Sequence, residues 1–219
     1  MGREIDLLRN YPKTKRNIEE RLKTKSETSR EIARKFGKDF FDGDREYGYG
    51  GFDYNPRYWT DVVADLIKEY QLNNDSSVLD VGCAKGFFLH DLKNALPGIN
   101  IKGIDISKYA IENCIGTVKN DLLVANANDL PFEDNSFDLV ISINTVHNLD
   151  RANCGKALSE ITRVTKQNSF ITVDAYRNEE EKARMEAWNL TAKTIMSCSE
   201  WINFFSEIKY LGDYFWFTP

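Results

Sequence analysis

Histidine is almost missing from this chain. Only His90 and His147 occur among 219 residues, which excludes a His-rich metal site, so no metal ligand set is expected. The four cysteines, Cys83, Cys114, Cys154 and Cys198, lie far apart and form no Cys-x-x-Cys pair. They read as reduced thiols of a cytoplasmic protein. No uninterrupted apolar stretch is long enough to span a bilayer, and the charged opening is not a secretory signal. No membrane partner is therefore expected, and Asn189-Leu190-Thr191 carries no weight as a glycosylation acceptor. Positive charge is not in excess either: the net charge is −5, which argues against nucleic acid as the main partner. Internal repeats and low-complexity tracts are absent. The length suits one domain plus additions.

What the chain does have is alternation. Strands are predicted near 77–81, 99–104, 121–124, 137–143 and 170–175, and helices near 86–95, 108–114, 151–165 and 179–189. That order marks a parallel sheet with helices on both faces. The tail reads as a sixth strand over 190–196, a helix over 199–208 and a last strand over 214–217. Its aromatic run Tyr214-Phe215-Trp216-Phe217 is suited to packing between subunits as well as within one, which leaves a homo-oligomer open.

The most informative stretch is Val78-Leu79-Asp80-Val81-Gly82-Cys83-Ala84-Lys85-Gly86. An apolar strand ends in an acid, small residues follow at alternate positions, and a helical pattern opens at Phe87. Such a turn lets backbone approach a nucleotide-type ligand closely. A second apolar run, Ile99 to Ile104, ends in Asp105, about 20 residues further on, where α/β folds place the acid that holds ribose hydroxyls. Dinucleotide sites use Gly-x-Gly-x-x-Gly to bring backbone to a pyrophosphate. Here Asp80 precedes the first glycine, so a phosphate would be repelled and a cationic group attracted.

The pattern Asp80-x-Gly82-x-Ala84-x-Gly86 resembles motif I of the class I S-adenosylmethionine-dependent methyltransferases, and Asp105 matches their second-strand acid. Asn126-Ala127-Asn128-Asp129-Leu130-Pro131-Phe132 resembles the family's adenine-side loop, and Phe137 to Asn144 its fourth strand. The likeness runs from Ser77 to about Ala175 and is nearest the small-molecule branch called methyltransferase type 11. Two departures stand out: Ala84 replaces the middle glycine, and Asn126 stands where an acid is more usual. The resemblance implies a Rossmann-like, mostly parallel sheet of about seven strands, with the last strand antiparallel. It implies S-adenosylmethionine as cofactor, with S-adenosylhomocysteine as product. Asp80 and Gly82 would lie near the methionine end, Cys83, Ala84 and Gly86 would also bind the cofactor, Asp105 would lie on the ribose, Ile106 against the adenine, Asn126 and Ala127 at its edge, and Asn144 near the reactive methyl.

Residues 1–60 read as an N-terminal helical extension and a Tyr/Gly-rich lid, and 61–219 as the Rossmann-like domain. One helix is predicted after Pro12, and another from a Thr28-x-x-Glu31 capping box to Gly37. The aperiodic stretch from Phe40 to Tyr54 reads as an ordered loop over the site, because its aromatic rings seek burial. Tyr47 and Tyr49 are its candidates for touching the cofactor. Methyl transfer needs a base only when the acceptor must lose a proton. His147, just past the fourth strand, is the candidate base, with capping a turn or lining the pocket as the alternative. Asp174, after the fifth strand, is the second candidate base or a substrate anchor. The expected reaction is methylation of a small polar acceptor, specifically O-methylation of a sugar or sugar-nucleotide-type metabolite. A protein or RNA methyltransferase, or a non-catalytic cofactor-binding protein, is the alternative.

Overall fold

Strands and helices alternate from Ser77 onward in the computed structural model, which describes residues 2–13, 18, 26–50 and 52–219. The strands are β1 (Ser77–Val81), β2 (Asn100–Asp105), β3 (Leu122–Val124), β4 (Phe137–Ile143), β5 (Thr165–Tyr176), β6 (Met196–Ser197) and β7 (Asp213–Phe217). The helices among the described residues are α1 (Glu27–Ala33), α2 (Lys38–Asp42), α3 (Thr60–Tyr70), α4 (Phe87–Ala95), α5 (Lys108–Glu112), α6 (Arg151–Val164), α7 (Glu179–Trp188) and α8 (Cys198–Glu207). The seven strands form one sheet in the order β3-β2-β1-β4-β5-β6, with β7 also against β5. This is the doubly wound, Rossmann-like arrangement. β1 is covered on both faces, which is why its sequence reads as a continuous apolar run rather than an alternating one. One face packs α3 and α4 through Val62, Leu66, Phe88 and Leu92. The other packs α6 and α8 through Leu158, Ile161, Trp201 and Phe205.

The last strand corrects an expectation. β7 runs parallel to β5, with Phe170 opposite Asp213 and Asp174 opposite Phe217. The chain leaves β5 at its carboxyl end, and β6 pairs only with Ala175 and Tyr176 there. α8 then carries the chain back, so β7 enters from the amino end in the same sense as its neighbour. β6 and β7 thus share one edge of β5, and the sixth strand shrinks to two residues. The aromatic tail is used inside the chain: Tyr214 and Trp216 are buried and pack on Phe205.

The N-terminus is also less separate than predicted. Glu4 bridges Tyr214 in parallel, Ile5 N donates to Tyr214 O at 2.9 Å, and Leu7 is buried in the α3–α4 core. Arg3 Nη2 lies 2.7 Å from Asp213 Oδ2 and 2.9 Å from Glu69 Oε1. Residues 3–7 therefore belong to the sheet edge and core rather than to the lid. The helix predicted after Pro12 falls largely on residues outside those described. α1 begins two residues earlier than predicted: its capping box is Ser26 with Ser29, not Thr28 with Glu31. α2 occupies the start of the stretch that had no readable period. Downstream caps follow the local sequence, with Asn55 capping the turn at Pro56, Asp150 capping α6 and Ser197 with Glu200 boxing α8.

Candidate functional site

The carboxyl ends of β1, β2, β4 and β5 bring together residues far apart in sequence, at the place where an open α/β sheet binds ligands. Asp80 is the penultimate residue of β1 and is 5% exposed. Beyond it the chain makes a tight turn whose backbone is pinned to β2: Gly82 N and Cys83 N both donate to Ile104 O, at 2.8 and 2.9 Å. Gly82 has φ +91°, and a Cβ there would sit 2.1 Å from Thr145 Oγ1. Only glycine meets both demands. Gly86, with φ +76°, opens α4 without a side-chain cap. Ala84 adopts φ 49°, a left-handed conformation that costs an alanine roughly 1–2 kcal/mol. The departure from glycine therefore carries strain, held in place by Ala84 N donating to Asp105 Oδ2 at 2.9 Å.

Asp105 spends one oxygen on that amide and the other on Ser107 N at 2.8 Å. A carboxylate has about four acceptor sites, so two remain for further donors. Ile106, beside it, is 55% exposed, an apolar face left open at the crevice. Asn126 lies just past β3 and makes a tight turn, with Asn128 N on its Oδ1 and Asp129 N on its carbonyl. Ala127 is buried behind it. Asn144 takes φ 52°, and its side-chain oxygen accepts from Thr172 Oγ1 at 2.9 Å.

The electrostatics of the two acids differ. Burial and the neighbouring Asp105 push the Asp80 carboxyl up to about 8. Burial also raises Asp105, but two backbone N–H bonds oppose the rise. The proton therefore rests on Asp80. No hydrogen bond or ion pair reaches the Asp80 side chain among the described residues, so a cation placed there would ionise it. The Cys83 thiol, buried beside both acids, is pushed well up and is unreactive. Among the described residues no group of His, Cys, Asp and Glu is arranged to hold a metal ion, and no helix is long and apolar enough to cross a membrane.

Past β4, His147 is drawn into the interior at 4% exposure. Its Nδ1 accepts from Asp174 N at 3.0 Å, and its Nε2 lies 3.7 Å from Asp174 Oδ1. Burial pushes its pKa down, so the ring is neutral with the proton on Nε2. The lone pair a base would use is already bonded to backbone. Its carbonyl also anchors Lys193 N and Thr194 N, both at 3.0 Å. His147 and Asp174 thus lie together, with the imidazole bonded to the Asp174 backbone amide and its other nitrogen facing the carboxylate.

The lid is fastened to the rest of the fold at several points. The Tyr49 hydroxyl accepts from Leu190 N at 2.8 Å, and its ring packs near Trp188 and Phe40. It fastens the lid to the loop after α7, and the structure places its hydroxyl on that loop's backbone. Tyr47 sits half-buried in the same lid. Sequence reasoning missed the ties that hold the lid down. Buried Lys85 pairs with Asp42 and donates to Phe52 O at 2.9 Å. Tyr109 also donates to Asp42, at 2.7 Å, Ser107 Oγ donates to Phe36 O, and Tyr54 donates to buried Asp91. A lysine inside a glycine turn, where no phosphate is expected, was the available signal.

A methyltransferase domain family matches residues 79–173. The tRNA (carboxymethyluridine(34)-5-O)-methyltransferase of Arabidopsis thaliana is 32% identical over 66% of this chain and 34% of its own length. The mouse mitochondrial arginine-hydroxylase NDUFAF5 is 31% identical over 51% of this chain and 30% of its own. The chain spans less than half the length of these curated relatives. Among solved structures, the complex of the Trm112 methyltransferase activator of Haloferax volcanii with a methyltransferase has a chain that superposes with a TM-score of 0.53. It is 26% identical over 63% of this chain and 62% of that one. Asp80, Gly82 and Asp105 lie within a segment that matches a methyltransferase domain family, on a sheet like that of the class I S-adenosylmethionine-dependent methyltransferases.

Proposed function

We propose that this protein transfers a methyl group from S-adenosylmethionine to a small polar acceptor, in the form of O-methylation of a sugar or sugar-nucleotide-type metabolite. The observation that carries the reading is the Asp80–Asp105 pair. One buried acid lacks a cation among the described residues, and the other keeps two acceptor sites for a diol, on adjacent strands beyond a turn that repels phosphate. A ligand with a ribose and a cationic amino-acid end fits both. When bound, that donor supplies an electrophilic methyl on a sulfonium.

The chain's own residues do the rest. Asp105 holds the ribose, Ile106 covers the base, and the turn at Asn126 and Ala127 faces its edge. Asp80 and the Gly82–Gly86 backbone receive the amino-acid end, and Asn144 borders the methyl. Alignment of nucleophile, methyl and sulfur provides most of the acceleration in such a displacement. For a hydroxyl acceptor, Asp174 takes the proton and His147 orients it, since the imidazole lone pair is spent on the Asp174 amide. The lid supports a small acceptor, because its ties at Asp42, Phe36, Tyr49 and Tyr54 hold it against the ends of the strands.

A second reading, transfer to a tRNA base with an activator-type protein partner, draws on the Arabidopsis and Haloferax relatives; the net charge of −5 weighs against it. Incubating the chain with tritiated-methyl S-adenosylmethionine and, in separate vessels, a polar metabolite pool and bulk tRNA decides between them. Label in the metabolite fraction is expected. Label in tRNA alone would replace the first reading with the second, and donor binding without transfer to either would leave a cofactor-sensing role.

A further inference from the structure

The donor's base has one direction to go. Asp80 lies on β1 and Asp105 on β2, so a nucleoside with its cationic end at the first and its ribose at the second carries its base over the end of β3. The loop that leaves β3 begins there, with Ala125 N donating to Asp105 O at 3.0 Å. Its outward leg is the tight turn at Asn126. Its return leg, Leu130 to Phe132, is held from behind by one helix.

That hold is polar and complete. Glu160 and Arg163 stand one turn apart on α6. Glu160 Oε2 accepts from Leu130 N at 2.9 Å. Arg163 Nη2 donates to Leu130 O at 3.0 Å, and Nη1 to Phe132 O at 2.7 Å. The guanidinium also grips both oxygens of Glu160, through Nε and Nη2 at 2.7 Å each, and Asp134 Oδ1 at 2.8 Å. Asn128 Nδ2 adds a tie to Asn153 on the same helix, at 2.9 Å. Leu130 and Ala127 are buried in the adjoining core. Apolar packing of those two side chains fixes how deep the loop sits. It does not fix how the loop's peptide groups are turned, and a rigid fork of directional donors does.

We infer that Arg163, clamped by Glu160, is a positioning residue for base selectivity: it orients the 126–132 loop so that the loop's polar groups match the edge of adenine, without itself touching the ligand. The inference rests on the donor reading above and extends it to a helix outside the crevice. Adenine offers an amino donor and a ring-nitrogen acceptor, whereas hypoxanthine offers a carbonyl acceptor and an N–H. A loop turned by a few tenths of an ångström loses the distinction between them before it loses contact with the base.

The test uses the full chain and two probes, S-adenosylhomocysteine and its inosine counterpart, titrated by calorimetry. The proteins are wild type, Arg163→Met, Arg163→Lys and the surface control Arg151→Met. Wild type is expected to favour the adenine probe. Arg163→Met is expected to bind that probe roughly tenfold more weakly, the scale of one misaligned hydrogen bond, and to bind the inosine probe within about twofold of wild type. Arg163→Lys, with one donor direction in place of a fork, should fall between, and Arg151→Met should match wild type. Equal losses on both probes, or no loss on either, would overturn the inference. If Arg163→Met fails to fold, the same criterion applies to Arg163→Lys. Wild-type protein binding neither probe would instead remove the donor reading, and this inference with it.

Discussion

Replacing Asp80 by asparagine should make the protein's stability less sensitive to pH and weaken its hold on the donor. The Asp80 carboxyl is raised from its ordinary 3.8 to about 8 by burial and by Asp105. An acid raised in this way binds its proton more tightly when folded than when unfolded. Its contribution to stability is intact below about pH 4 and is lost as pH climbs toward 8. Each pH unit inside that window costs about 1.4 kcal/mol, so this one group should remove about 2.5 kcal/mol between pH 5 and pH 7. Asp80→Asn deletes the titration. Urea unfolding of both proteins at both pH values isolates the effect, because any penalty for burying an unpaired amide is the same at each pH and cancels in the double difference. The variant should keep about 2.5 kcal/mol that wild type loses over the interval, and calorimetry should show weakened S-adenosylmethionine binding. Equal pH slopes for the two proteins would refute the claim that Asp80 is a desolvated acid waiting for a cation.

Three more outcomes follow from the same geometry. Donor binding should expel close to one proton between pH 6 and 7.5, with affinity rising as pH rises, because a cation beside Asp80 favours its ionised form; titrations in buffers of different ionisation enthalpy measure this, and pH-independent affinity would contradict it. Asp105→Asn should weaken S-adenosylhomocysteine roughly 30- to 100-fold, the scale of charge-assisted bonds to a diol, as read by calorimetry; an unchanged affinity would move the ribose elsewhere. Gly82→Ala should cost about 3 kcal/mol or more in denaturant unfolding, since the new methyl meets Thr145 Oγ1 at 2.1 Å on a left-handed backbone. Adding Thr145→Gly should recover part of that loss, and a lone Gly82→Ala with an unshifted midpoint would contradict the packing described.

The central strands, the turn at Gly82 and the acids at Asp80 and Asp105 are all legible in the sequence, because each follows from local rules. Apolar runs become buried parallel strands, small residues permit a tight turn, and strand ends collect on one side of a wound sheet. The direction of β7 was not legible. Tyr214 to Phe217 reads the same in either sense, and only the return of α8 across β5 decides it. The role of His147 was equally hidden: sequence puts an imidazole beside the site, while the tertiary structure aims its lone pair at the Asp174 amide. The clamp of Arg163 on the 126–132 loop and the pairing of Lys85 with Asp42 also join segments with no sequence pattern in common. Backbone conformation and strand-end chemistry are properties of neighbours along the chain, so sequence alone determined them. Which lone pair is spent, and on what, depends on groups that meet only after packing, and that the folded structure alone decided.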